Sequence, residues 1–458
     1  MKKASDKESI IKNRQRLLSH GNRKLREHAL EIIEAGIKAA NPGLGTQKII
    51  RLEGNSLVVG NRRYDLDKIR HIYVVGAGKG AFPIAESLEK ILGDLIYRGV
   101  VSVKKGEKRR LKKIEIIEAG HPLPDENSLM AAQKILALAK AAGEGDLVFA
   151  AVTGGSSALA TLPPKGITLE EIKQLTDSLL KSGAAIRDIN AVRKHLCQLK
   201  GGLLVKHIQP AEAITLTLDT APKDILWPDM CLPDPTTFQD ALDVLKKFNL
   251  EDVVSSSIKR YLREGRENPE LETVKSFEGM KATLFGVANQ VIACEAAASR
   301  AGESGYNPAI LSTSIAGEAA IVGICLAGIA REIIRKKRPF SPPCALISSG
   351  ETTVKVAGNG GVGGRNQEFV LSFAQELGAE NKACCASVDT DGTDGPTDIA
   401  GGIVDGETLT RAKNLGVNIN SYLKNHDSST ALAALEDAIV TGHTGTNVLD
   451  LRVILIDS

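Results

Sequence analysis

Apolar and polar positions along the chain follow two periods, and each switch between them marks an element. Apolar residues recur at helical spacing over 22–40 until "NPG" at 41–43 stops them. "KIRHIYVVGAG" (68–78) is an apolar run entering a glycine turn, and "AFPIAESLEKIL" (81–92) is the helix leaving it. "RGVVSVKK", "KIEIIEAG", "DLVFAAVTGG" and "AEAITLTLD" read as further strands, separated by the amphipathic stretches 128–143, 168–183 and 185–196. Strands alternating with helices predict a parallel sheet covered on both faces, a Rossmann-like α/β domain.

The pattern thins over the charged stretch 261–280, which reads as weakly ordered, and the domain boundary is expected there. Residues 1–270 then form the first domain and 271–458 the second. Beyond the boundary, "CALISSGETTVKVAG" and "KACCASVDTDGTDGPTDIAGGIVD" look hairpin-like among helices, so the second α/β domain should carry a mixed sheet. The longest apolar stretch, "AAIVGICLAGIA" (319–330), is too short to span a bilayer and reads as a buried helix.

Composition narrows the partners. At 458 residues the chain is too long for one ordinary core. A net charge of +3 and an aromatic content of 3% argue against nucleic-acid and membrane partners. The seven cysteines lack metal spacing, and the N-terminus has no apolar signal region. A cytoplasmic protein with reduced thiols is expected, with a homodimer as the candidate assembly.

Candidate chemistry sits on glycine-rich turns, where strand ends bind ligands in open α/β sheets. Gly76–Ala81 fits G-x-G-x-x-A, but Lys104 and Lys105 stand where a nicotinamide site needs an acid. Lys79, set among the glycines that include Gly78, is placed to hold an anion. Gly154, Gly155, Ser156 and Ser157 form a hydroxyl–glycine turn suited to phosphate; Ser156 with Asp389 and His443 leaves a hydrolase triad open. Arg193 and Lys200, seven apart on or near one helix, suit a polyanion. Arg365 opens a helix, where a cation is disfavoured unless an anion compensates it, and Asn366 follows. Asp389 and Asp391 lie on an acidic loop that fails the EF-hand pattern but fits magnesium shared with phosphate. Together these groups are what phosphoryl transfer requires.

The motifs "VVGAGKG", "EAGHPLPDE", "TGGSSALATLPP", "NAVRKHLCQLKGG", "LPDPTT", "GGRNQE", "DTDGTDGPTDIAGGIVD" and "TGTNVLDLRV" occur in this order. In this the chain resembles, from about residue 22 to its end, the glycerate kinase family whose C-terminal part is a MOFRL domain. The resemblance implies ATP-dependent phosphorylation of D-glycerate, usually at the 2-hydroxyl, with Mg2+. It also implies an active site between two α/β domains, with Lys79 and Arg365 catalytic. Asp219 or Asp391 is then expected to orient or deprotonate the acceptor hydroxyl. One segment departs from the family: "TLDTAPKDILWPDMCLPDPTT" keeps Asp219 but has Lys223 for a glycine and lacks an S-G-P-T element. Changed donor or acceptor choice, or lost activity, is the expectation attached to that segment. Besides the kinase, the sequence leaves open an NAD(P)H-dependent hydroxypyruvate reductase and a hydroxy-acid-binding protein without turnover.

Overall fold

A computed structural model describes residues 9–106, 109–218, 230–356 and 360–458. Packing divides the chain into two units: Pro42–Val287, and Met1–Asn41 together with Ala288–Ser458.

The sheet of the 42–287 unit runs Ile114–Ala119, Ile96–Lys104, Ile72–Ala77, Leu147–Val152, Glu212–Leu218, Ala282–Ala288 from edge to edge. Its first five strands pair in parallel, as the alternating pattern predicts. Ile72–Ala77 and Leu147–Val152 are buried at every position, the signature of central strands covered on both faces. Asp125 with Ser128, Thr168 with Glu171 and Thr237 with Asp240 form capping boxes that fix where three of the surrounding helices begin. A small antiparallel sheet, Ile50–Glu53, Ser56–Val59 and Arg62–Asp65, precedes the main one. Its strands are four residues long, too short to show a period in the sequence.

The other unit is built on a mixed sheet, as expected. Its order is Asn307–Ser312, Cys344–Gly350, Asp450–Ile456, Ala383–Asp389, Gly401–Asp405, Ala438–Ile439, with the first pair parallel and the rest antiparallel. Adjacent Cys384 and Cys385 point to opposite faces of this sheet, so each lies in a separate apolar core. All seven cysteines are free thiols, six of them buried.

Three expectations are revised. The helix Arg23–Ala39 packs on the mixed sheet and on Gln290–Glu303, so the start of the chain belongs with the C-terminal unit rather than with residues 42–270. Its Arg26, fully buried, bridges Asp405 and Asp437. The stretch from 261 is not weakly ordered throughout: Ser256–Glu267 is a helix burying Ile258 and Leu262, and the unit boundary falls at 287. The apolar helix Ala319–Lys336 is buried on one face only, with Ile321 and Ile324 exposed. Among the described residues no helix is long and apolar enough to cross a membrane.

Candidate active site

In the 42–287 unit the first two glycine turns are bonded to each other. Gly78 has φ +143°, and an added Cβ there would lie 2.1 Å from Thr153 Oγ1, so only glycine lets the turns approach. Four amides in the first turn bond inside the protein: Gly78 to Ser102 O at 3.1 Å, Lys79 to Gly154 O at 2.9 Å, Gly80 to Thr153 Oγ1 at 3.0 Å, and Ala81 to Gly78 O at 3.3 Å. A dinucleotide pyrophosphate would need those donors. The glycines of this turn therefore serve close packing, and what the turn offers a ligand is the Lys79 side chain.

The second turn differs. The amides of Gly154 and Gly155 make no hydrogen bond among the described residues, and Gly155, not a serine, caps the short helix Ser156–Leu159. Ser156 and Ser157 are buried, and Ser157 Oγ has no hydrogen-bond partner among the described residues. The Lys79 Cγ and the His121 ring both come within about 3.3 Å of where a Gly155 Cβ would stand. His121, from "EAGHPLPDE", thus shares the site with Lys79, although its spacing in the sequence gave it no role.

The helix Ile186–His195 brings a second group. Lys194 Nζ donates to Asp234 Oδ1 at 2.5 Å, and Asp234 also accepts from Thr236 and Thr273. This pair ties "NAVRKHL" to "LPDPTT". His195 Nδ1 lies 2.6 Å from Ala191 O and its Nε2 2.9 Å from Glu272 Oε1. An acceptor thus faces each nitrogen of the ring. Among the described residues Arg193 and Lys200 have no such carboxylates. Lys200 is 1% exposed, and burial, with the charge of Arg193 beside it, pushes its pKa down to about 8. Burial also lowers that of Arg193.

In the other unit, Arg365 opens the helix Arg365–Leu377 and is compensated from within the protein. Its Nη2 donates to Asp389 Oδ2 at 2.6 Å and its Nε to Asp450 Oδ1 at 2.8 Å, with Glu351 at 3.6 Å. Burial opposes the charge, but Asp450, Asp389 and Glu351 outweigh it and hold the pKa above its ordinary value. The helix start itself is occupied by Asp394, whose Oδ2 accepts from the amides of Asn366 and Gln367 at 3.0 and 3.1 Å. An added Cβ at Gly364 would lie 2.3 Å from the Asp394 carboxyl carbon, which explains the glycine before Arg365. Burial first, then the charge of Asp450, raises Asp394 to about 6. Asn366 is buried and its amide bonds Asp394, Asp450 and Ser387. Asp394 and Asp450 are thus central to this site. Asp394 was visible as one member of the acidic loop and Asp450 only as part of "TGTNVLDLRV".

Asp389 and Asp391 are both 5% exposed. Asp391 Oδ1 accepts from the Thr393 amide and hydroxyl, each at 2.8 Å. Among the described residues no three of His, Cys, Asp and Glu gather as a metal cage. Two hard carboxylates nevertheless fit magnesium held mainly by phosphate oxygens and water. Asp219 lies outside the described residues, as do Lys223 and Trp227 of the departing segment.

Two family models match the chain: a domain of unknown function, DUF4147, over residues 28–263, and the MOFRL family over residues 344–450. A glycerate 2-kinase of Pyrococcus horikoshii is 37% identical over 95% of this chain and 98% of its own. A D-glycerate 2-kinase of Thermotoga maritima is 40% identical over 94% and 98%. A putative hydroxypyruvate reductase of Agrobacterium vitis is 38% identical over 84% and 86%. The crystal structure of a glycerate kinase from Thermotoga maritima superposes with a TM-score of 0.80 at 39% identity, covering 94% of this chain and 99% of that one. Near-complete coverage at this identity, with both models in the order the motifs predict, shows that the chain belongs to the glycerate kinase family that carries a MOFRL domain.

Proposed function

We propose that the chain is an ATP-dependent kinase that phosphorylates the 2-hydroxyl of D-glycerate. The observation that carries this reading is identity of 37–40% over nearly the whole chain to proteins named glycerate 2-kinase. In the transfer, the acceptor oxygen forms a bond to the γ-phosphorus, the bond from that phosphorus to the ADP oxygen breaks, and the hydroxyl proton passes to a carboxylate, Asp219 or Asp391. No nucleophilic side chain is needed.

Lys79 would hold an anionic oxygen of acceptor or phosphoryl group, with the open amides of Gly154 and Gly155 and the hydroxyls of Ser156 and Ser157 as further donors. Arg365 would direct the Asp389 carboxylate, and Asn366 would hold Asp394 and Asp450 in place. Asp219 or Asp391 would orient the acceptor hydroxyl. Magnesium, when bound with Asp389 and Asp391, supplies charge neutralisation to the phosphates. The seven free thiols favour a reducing compartment, and we place the enzyme in the cytoplasm.

The test is full-length protein with ATP, magnesium and D-glycerate, scored by ADP release and by NMR of the product. 2-Phosphoglycerate is expected; absence of ADP release ends the proposal, and 3-phosphoglycerate corrects its position. The reductase reading has the Agrobacterium relative's name behind it. Hydroxypyruvate-dependent oxidation of NADPH would establish it, against the internally bonded amides of the first turn.

A further inference from the structure

Three of the four buried side-chain polar atoms without a partner in the 42–287 unit are Ser157 Oγ, Asn190 Oδ1 and Arg193 Nε, among the described residues. Two of them sit on one helix, three residues apart, and so share its face. Lys200 lies beyond the helix, buried, within electrostatic range of Cys197 and Arg193, and has no carboxylate partner among the described residues. Buried cations are ordinarily paired, because an uncompensated charge is costly to desolvate. The same helix shows the ordinary arrangement: the buried Lys194 has Asp234. Among the described residues neither Arg193, which is half-buried with its Nε sealed from solvent, nor the buried Lys200 has a carboxylate partner. Such an arrangement costs stability, and the charge of a bound anion would offset that cost.

We propose that Asn190, Arg193 and Lys200 form a binding site for a phosphate dianion. Two cations match the two charges of a phosphate ester, where a single carboxylate would leave one unmatched. Arg193 supplies planar N–H donors and Lys200 a point charge, the pairing that recurs at phosphates. Asn190 can present its amide to a phosphate oxygen or to a hydroxyl beside it. The site extends the kinase reading, on which the choice between donor phosphate and phosphorylated product rests; phosphate binding itself is measured without turnover.

The experiment uses the full chain and thermal unfolding, with inorganic phosphate, ADP, 2-phosphoglycerate and D-glycerate as probes. Phosphate should raise the unfolding temperature of the wild type. Arg193→Gln and Lys200→Met should each weaken the phosphate affinity by about tenfold or more, and Lys200→Arg should retain most of it. Lys200→Met keeps the aliphatic volume, and its own unfolding curve reports whether it folds. Loss of the response to 2-phosphoglycerate but not to ADP assigns the site to the product, and the reverse assigns it to the donor; either supports the proposal. Equal phosphate responses in wild type and both variants overturn it, as does a Lys200-dependent response to D-glycerate alone. If phosphate binding depends on these residues while ATP and D-glycerate give no turnover, the site stands and the kinase reading falls.

Discussion

At the scale of single residues, the strongest contrast is between Arg365, which carboxylates compensate, and Lys200, which has no carboxylate partner among the described residues. Arg365 is compensated by Asp389 and Asp450, so its removal takes a charged partner from each of two buried carboxylates, although Asp450 keeps Arg452. Arg365→Gln should cost on the order of 3–5 kcal/mol, read as a lowered denaturation midpoint, besides any loss of activity. Lys79→Ala should lower kcat/KM by about a hundredfold or more, the usual effect of removing a charge-stabilising donor. A Lys79 variant with full turnover would remove it from the site. Lys200 separates stability from function more sharply. Its pKa is lowered from 10.5 to about 8 in the folded state, so between those pH values the unfolded chain binds the additional proton. Stability should therefore rise as pH climbs from 8 to 10.5, by on the order of 3 kcal/mol, with Arg193 and Cys197 the groups acting on the amine. Lys200→Met should be more stable than wild type at pH 7 and should lose that rise. A flat wild-type profile over the window would show that the amine is not isolated as described.

At the scale of elements, the apolar period announced what is long and repeated, and missed what is short or held by remote contacts. Central strands such as Leu147–Val152 and helices with capping boxes were legible because local pattern and tertiary burial agree. The four-residue strands between 50 and 65 carry no period, and the exposure of Ile321 and Ile324 is not encoded in hydrophobicity alone. Of the site, the positions of the cations could be read from glycine turns and helix starts, but their compensation could not. That Asp394, twenty-nine residues after Arg365, caps the helix Arg365–Leu377 depends on how the sheet returns the chain. The helix Arg23–Ala39 makes the same point in reverse: its amphipathic pattern is plain, and its destination is set by Arg26 meeting Asp405 and Asp437. Arg26→Met should destabilise the unit that contains residues 288–458 by about 3–5 kcal/mol, since it leaves both carboxylates without this guanidinium. Unchanged unfolding of that unit in the variant would place the helix elsewhere.

At the scale of the whole molecule, one unit is continuous in sequence and the other is not. Pro42–Val287 contains its own parallel sheet, two buried apolar cores and every residue of the proposed phosphate site, so it has what an independent folding unit needs. Ala288–Ser458 contains the mixed sheet but leaves one face to be covered by Arg23–Ala39. A fragment of 42–287 should thus unfold cooperatively on its own. A fragment of 271–458, cut where the charge pattern suggests, should expose the apolar face around Ile347, Ala386 and Val453 and bind a hydrophobic dye or aggregate. Joining residues 1–41 to 288–458 through a flexible linker should restore cooperative unfolding, because the missing layer is then supplied intramolecularly at high effective concentration. If 271–458 folds as well alone as in that fusion, the first helix is an accessory and the division at residue 270 describes the molecule better than the packing does.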